Sequence, residues 1–295
     1  MRNRLIVVLL ACTALLTAAC AASSAQEHIS RGDTYTGEEE WDEAIMEYEK
    51  AIELDPSLTE AHNKLAWAYS NRGCAHSHKE QWDLAIADLT EATELDPELA
   101  EAYNNRGWAY NMKGQHDLAI ADLNKAIELD PQLSIAYENL AVAYNERGRA
   151  RDQNKQWDLA IADLTKAIEL NPELAAAYNN RGWAYDGKRQ YDLAIPDLDK
   201  AIELDPELAE AYSNRGWAYY GKKEYNLAIA DLDKAIALDP ELAVAYINRG
   251  LSYYQKKMMD MAIADFEKVL ELSNDPELTA AAREGIALSG GKSTQ

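Results

Sequence analysis

The chain has 295 residues, 47% of them hydrophobic and 27% charged, which suits a folded protein with a sizeable core. Asp and Glu outnumber Lys and Arg 51 to 29, giving a formal net charge of -22. That balance argues against nucleic acid as a partner, because phosphate contacts need clustered cations, and it favours basic or apolar protein partners. Of the three cysteines only Cys74 lies beyond residue 20, so no internal disulfide is expected.

At the N-terminus, Arg2 and Arg4 precede an apolar run from Leu5 to Ala19, then Cys20 and the small polar stretch Ala21–Gln26. This layout predicts an export signal over residues 1–25, separate from the fold. The stretch Thr17-Ala18-Ala19-Cys20 resembles a bacterial lipoprotein box, with Thr17 where Leu is usual, and the resemblance implies lipidation at Cys20. Soluble export with cleavage near Ala25 is one alternative. An uncleaved anchor is another, although an apolar run of this length is short for a span. Two acyl chains at Cys20 would make the membrane contact through that anchor alone.

From residue 26 the chain repeats itself. Pro56, Pro97, Pro131, Pro172, Pro206, Pro240 and Pro276 mark the ends of successive units. One short interval separates Pro97 from Pro131, Pro172 from Pro206 and Pro206 from Pro240, and one longer interval separates Pro56 from Pro97 and Pro131 from Pro172. Self-similarity at this period predicts a solenoid, in which each unit buries its apolar face against its neighbours. In residues 100–133, Tyr103, Gly107 and Tyr110 form one helical stripe, and Leu118, Ala119, Leu123, Ala126 and Ile127 form a second after the break at Gly114. The unit reads as a helix hairpin with small residues, Gly107 and Ala119, at the close approach. Asp96, Pro97 and Glu98 are expected to cap the first helix and open its first turn.

Tyr103, Gly107, Tyr110, Ala119, Leu123, Ala126 and Pro131 recur as Tyr178, Gly182, Tyr185, Ala194, Leu198, Ala201 and Pro206, and again from Tyr212 to Pro240. On these residues the chain resembles tetratricopeptide repeats. The resemblance implies an all-α, right-handed α-solenoid of seven helix hairpins, at about 27–58, 59–99, 100–133, 134–174, 175–208, 209–242 and 243–275. A capping helix over 276–289 and a polar tail over 290–295 complete the reading.

Two units, ending at Pro97 and Pro172, are seven residues longer than the rest. Seven residues are close to two helical turns, so the apolar stripes stay aligned, and each helix of a long unit is expected to lengthen by about one turn. The phrase Ala68–Gly73 matches Ala102–Gly107, yet Ala61–Ala66 fits the same helix start, and the sequence leaves both alignments open. Arg72, Arg106, Arg147, Arg181, Arg215 and Arg249 stand at one constant spacing before Asp88, Asp122, Asp163, Asp197, Asp231 and Asp265, which predicts ion pairs between adjacent helices. Pro196 stands inside a second helix and predicts a local kink over 191–203.

The resemblance also implies a concave groove lined by first helices that takes a peptide or a partner protein. Carried over, the groove residues are Asn104, Trp108, Asn111, Asn179, Trp183, Asp186, Ser213, Trp217, Tyr220 and Tyr254. Asn side chains offer donors and an acceptor to a peptide backbone, and Trp and Tyr supply stiff contact area. A carboxylate clamp of Lys, Asn and Arg is missing at these places. Cys74, His76 and His78 alternate along a helix, where such residues diverge by about 200°, so no metal site is expected. No phosphate loop or activated nucleophile appears, so neither enzyme activity nor a cofactor is expected. The reading is a non-enzymatic scaffold at the bacterial cell envelope. An accessory subunit of an envelope machine and a cell-wall glycan binder are the alternatives.

Overall fold

The computed structural model describes residues 23–290, and every regular element among them is a helix. The expected signal up to residue 22, the lipidation site Cys20 and the tail after residue 290 lie outside the described residues. The helices form seven hairpins: α1 (residues 23–37) with α2 (Trp41–Leu54), α3 (Thr59–His78) with α4 (Trp82–Leu95), α5 (Ala100–Met112) with α6 (His116–Leu129), α7 (Ser134–Gln153) with α8 (Trp157–Leu170), α9 (Ala175–Gly187) with α10 (Tyr191–Leu204), α11 (Ala209–Gly221) with α12 (Tyr225–Leu238), and α13 (Ala243–Gln255) with α14 (Met259–Leu272). A last helix, α15 (Pro276–Leu288), follows. The protein is an all-α solenoid. It divides into two compact units, one ending at Ala143 and the other starting at Tyr144, within α7.

Each hairpin is held by one buried side chain of the second helix. Leu89, Leu123, Leu164, Leu198 and Leu232 are fully buried, and Tyr48 and Phe266 take the same place at the two ends. Burial of such a side chain stabilises by about 1.5–3 kcal/mol. Gly107 shows why the partner position is small: a Cβ there would lie 2.7 Å from Leu123 Cγ and 3.1 Å from the Ala119 carbonyl oxygen. The turn between paired helices passes through a left-handed residue, Gly114 at φ 73° but Glu80 at 57° and Lys223 at 64° elsewhere. Only the glycine adopts that conformation without steric cost.

The Arg–Asp spacing forms a recurring clamp. Arg106 Nε and Nη2 donate to the two carboxylate oxygens of Asp122 at 2.7 and 2.9 Å, and Arg72, Arg147, Arg181, Arg215 and Arg249 repeat this fork with their own Asp. Each guanidinium also lies over the Tyr ring three residues earlier, as Arg106 does over Tyr103 at 5.3 Å. Arg215 uses its remaining nitrogen on Asp199 of α10, and Arg249 uses its own on Asp233 of α12. A single arginine thus ties its hairpin to the preceding one. Bidentate geometry and partial burial make these pairs stronger than open surface bridges.

Two expectations are corrected. Asp96 does not cap α5, whose N-cap is Leu99 without a side-chain bond. It ends α4 instead and accepts from the Glu98 N–H at 3.0 Å, closing a turn over Pro97. Asp130, Asn171, Asp205 and Asp239 do the same. Before α15 the motif does cap a helix, with Asp275 accepting from the Glu277 and Leu278 N–H groups at 2.9 Å.

The extra heptad goes wholly into the first helix: α3 has 20 residues against 13 in α5, while α4 and α6 both have 14. Both alignments of α3 are real. Its first turns bury Ala61, Leu65 and Ala68 in the core of the first hairpin, whereas Gly73 packs on Leu89 of α4. Arg72 serves both, donating to Asp42 of α2 at 2.5 Å and to Asp88 of α4 at 2.7 Å. The two helices need not end level, because each end of α3 has its own partner.

Pro196 stands inside a second helix of the second unit. Helix α10 runs through it unbroken, with 14 residues and a C-cap at Asp205 (φ -134°, ψ 93°) like that of α8 (φ -135°, ψ 93°). The proline supplies no backbone donor, and Ala194, Asp197 and Leu198 are buried on either side of it.

Candidate peptide-binding face

The first helices turn one face toward their own second helix and another away from it. On that second face an amide ladder runs from helix to helix. In the first unit, Asn139 of α7 donates to the Asn104 carbonyl oxygen at 2.9 Å, and Asn104 donates to Asn105 at 3.1 Å. In the second unit, Asn214 donates to Asn179 at 2.9 Å, Asn180 to Asn145 at 3.0 Å, and Asn145 to Glu146 at 3.0 Å. The ladder locks the spacing of neighbouring first helices, since each amide has its partners fixed by backbone position.

The ladder divides the residues expected from sequence. Asn104, Asn111, Asn179, Asp186 and Ser213 are buried, between 1% and 8% exposed, and so do not present free side chains to a peptide as expected. Asn104 and Asn179 spend their polar groups on the ladder, and Asn111 pairs with His116 Nδ1 at 2.8 Å. Trp108, Trp217, Tyr220 and Tyr254 are half-buried and Trp183 is 39% exposed. Trp217 stacks on Tyr220 with ring centres 5.0 Å apart and planes 11° apart, while Tyr254 packs on the core around Phe266.

The structure adds residues the sequence reading missed. Trp67 of α3 is 45% exposed and meets Trp41 edge-on at 5.8 Å. Its signal was available, since Ala66-Trp67-Ala68-Tyr69 parallels Gly107-Trp108-Ala109-Tyr110. Asn105, Asn139, Asn180 and Asn214, which occupy one repeat position just after that of Asn104, are half-exposed members of the ladder. A cavity of about 320 Å³ in the first unit is lined by Cys74, His78, Asn105, Trp108, Ile135 and Asn139. A second, of about 280 Å³, is lined by Asp33, Asn63, Lys64 and Trp67.

Cys74 Sγ lies 3.7 Å from His78 Nε2, while His76 Nδ1 bonds Gln81 at 2.8 Å, so the alternating trio points to different partners. Burial pushes the Cys74 thiol up, which keeps it neutral. In the second unit, burial raises the Asp186 carboxyl to about 6 against the opposing effect of its hydrogen bond from Trp217. Asp152, one hairpin earlier, is raised for the same reason, with Trp183 as its donor. No group of three or more metal-ligating side chains converges among the described residues.

A stack of helix hairpins with aromatic and amide side chains on one face of the first helices defines an α-helical repeat protein. Tetratricopeptide repeat models match residues 100–133, 141–174, 175–208, 209–242 and 243–275, and a TPR repeat model matches 32–73 and 77–114. The chain belongs to the tetratricopeptide repeat family. No curated protein matches it.

Among solved structures, the APC/C hetero-tetramer Cut9–Hcn1 is 18% identical over 83% of this chain with a TM-score of 0.54, a likeness of fold. This chain spans about half of that one, 52%. YrrB, a TPR protein with an unusual peptide-binding site, is 27% identical, covers 67% of this chain and 95% of its own, and has a TM-score of 0.49. MamA is 30% identical over 58% of this chain and 96% of its own, at 0.47.

Proposed function

We propose that the protein is a non-enzymatic scaffold that binds a peptide or partner protein along the face of its first helices. The observation that carries this is the part-exposed indoles, Trp67 and Trp108 in the first unit and Trp183 and Trp217 in the second, with an amide ladder in each unit. Rigid aromatics supply contact area at small entropic cost, and amides with spare capacity suit a peptide backbone. Membership of the tetratricopeptide repeat family agrees with this reading, because stacked repeats build extended binding surfaces. The location in the cell envelope, with a lipid anchor at Cys20, is part of the proposal and rests on the order of charged, apolar and small residues from Arg2 to Gln26.

The test is capture from a native envelope extract with residues 26–295 and with a Trp108→Ala, Trp183→Ala, Trp217→Ala variant whose helicity is checked by circular dichroism. A partner that is identified with the parent and lost with the variant is the expected result. Equal capture by both would move recognition off this face. For the location, the full chain is expected in the membrane fraction and its Cys20→Ser variant in the soluble one; identical fractionation would remove the anchor.

A further inference from the structure

The second unit holds a carboxylate that packing alone does not require. Asp152, Asp186 and Tyr220 occupy the same place in α7, α9 and α11, one repeat apart. Asp186 is 7% exposed, its Oδ1 has no hydrogen-bond partner among the described residues, and its side-chain donor is the neutral Trp217 indole. Oδ1 of Asp152 is equally without a partner, and Trp183 is its donor. At the equivalent place in α5 stands Asn111, 5% exposed and bonded to His116. An amide therefore fits this site, and the charge in α7 and α9 is surplus to the fold.

Aromatic side chains stand on the same first helix as Asp186 and on the next one, and the Trp217 indole reaches it. Trp183 is 39% exposed, and the stacked pair of Trp217 and Tyr220 lies on the next helix. A carboxylate oxygen in need of a donor, beside flat aromatic rings, is the chemistry that recognises an alkylammonium or guanidinium group. The net charge of -22 draws such a group in.

We propose that Asp186, with Trp183, Trp217 and Tyr220, forms a site for a lysine or arginine side chain of a basic partner segment, and that Asp152 and Trp183 repeat it one hairpin earlier. The cation donates to Oδ1 of Asp186 as the Trp217 indole moves aside, and its methylene stem lies on the rings. This deepens the peptide-binding reading and rests on it. Packed neighbouring helices lie roughly 8–10 Å apart and an extended chain advances about 3.3 Å per residue, so the basic residues recur every third position.

The experiment is calorimetric titration of the protein with a twelve-residue peptide carrying Lys at every third position, and with the same peptide acetylated at each Lys. The parent is expected to bind the lysine form roughly tenfold more tightly, the effect of one charged hydrogen bond with cation–π support. In Asp186→Asn, which places in α9 the amide that α5 already carries, the preference falls below about threefold. A Glu241→Gln variant, which removes the same charge from an exposed site, retains it. Equal binding of both peptides by the parent overturns the cation site and leaves peptide binding standing. Equal loss in Glu241→Gln, full preference in Asp186→Asn, or binding of neither peptide overturns it too.

Discussion

Replacing Asp163 by Ala is expected to lower stability by about 3 kcal/mol, the largest single-site loss among the clamp positions. Asp163 on α8 is 4% exposed, and three donors converge on it: Arg147 Nε at 2.8 Å, Arg147 Nη2 at 2.7 Å and Arg151 Nη1 at 2.5 Å. Two arginines of one first helix thus share a single carboxylate. Removing that carboxylate takes away the acceptor that both arginines share and opens a cavity between them, and breaking a partly buried ion pair from one side costs more than the pair contributed. Partial exposure of Arg147 and Arg151, at 20% and 25%, places the loss at the lower end of the range for buried pairs. Asp163→Asn keeps the shape and part of the hydrogen bonding, so its loss is about half as large. Urea unfolding of both variants gives the numbers. Because each hairpin touches only its neighbours, hydrogen exchange should show α7 and α8 opening before the distant hairpins. A loss under about 1 kcal/mol for Asp163→Ala would mean that water screens the clamp.

Asp186→Asn has the opposite sign. Burial raises the folded-state pKa of Asp186 from the ordinary 3.8 to about 6. The folded chain therefore holds this proton more tightly than the unfolded chain, and the ionised form is the disfavoured one. Stability falls as pH rises from about 4 to about 6, and above that window the full penalty stands. At pH 7 the linkage limit for such a shift is about 3 kcal/mol, and relaxation around the carboxylate reduces the expected gain for Asp186→Asn to about 1–2 kcal/mol. Unfolding midpoints of parent and variant between pH 4 and 8 should converge at the acid end and separate on the way to neutral. Parallel curves would show that Asp186 ionises normally. A residue that destabilises the fold at neutral pH, where its counterpart Asn111 is well bonded, fits the cation site proposed above.

How much the sequence could reveal depended on whether one residue's environment or a choice between equivalent packings was at stake. The hairpin was legible from Tyr103, Gly107, Leu123 and Ala126, because close approach of two helices allows few side chains at those points. The clamps were legible too. Arg106 and Asp122 keep the same separation in every copy, and one hairpin geometry makes that spacing a contact. The heptad in α3 was not, because seven residues turn a helix almost twice and leave the apolar stripe unchanged in either alignment. Arg72 satisfies both, a double role that no local pattern announces.

The candidate face shows the same boundary. Sequence alone placed Trp108, Trp183 and Trp217 on it, since the repeat fixes which way each first-helix position points. Whether Asn104 or its neighbour Asn105 meets a ligand depends on Asn139 of the next first helix, which takes up the Asn104 carbonyl. The burial of Asp186 depends likewise on Trp217, supplied by the next hairpin. Repeat period, helix pairing and clamp chemistry follow from the sequence because they are local and recur in near-identical copies. The ladder, the stepped long helix and the buried carboxylate of Asp186 were decided only by the tertiary structure, because each arises where one hairpin meets the next.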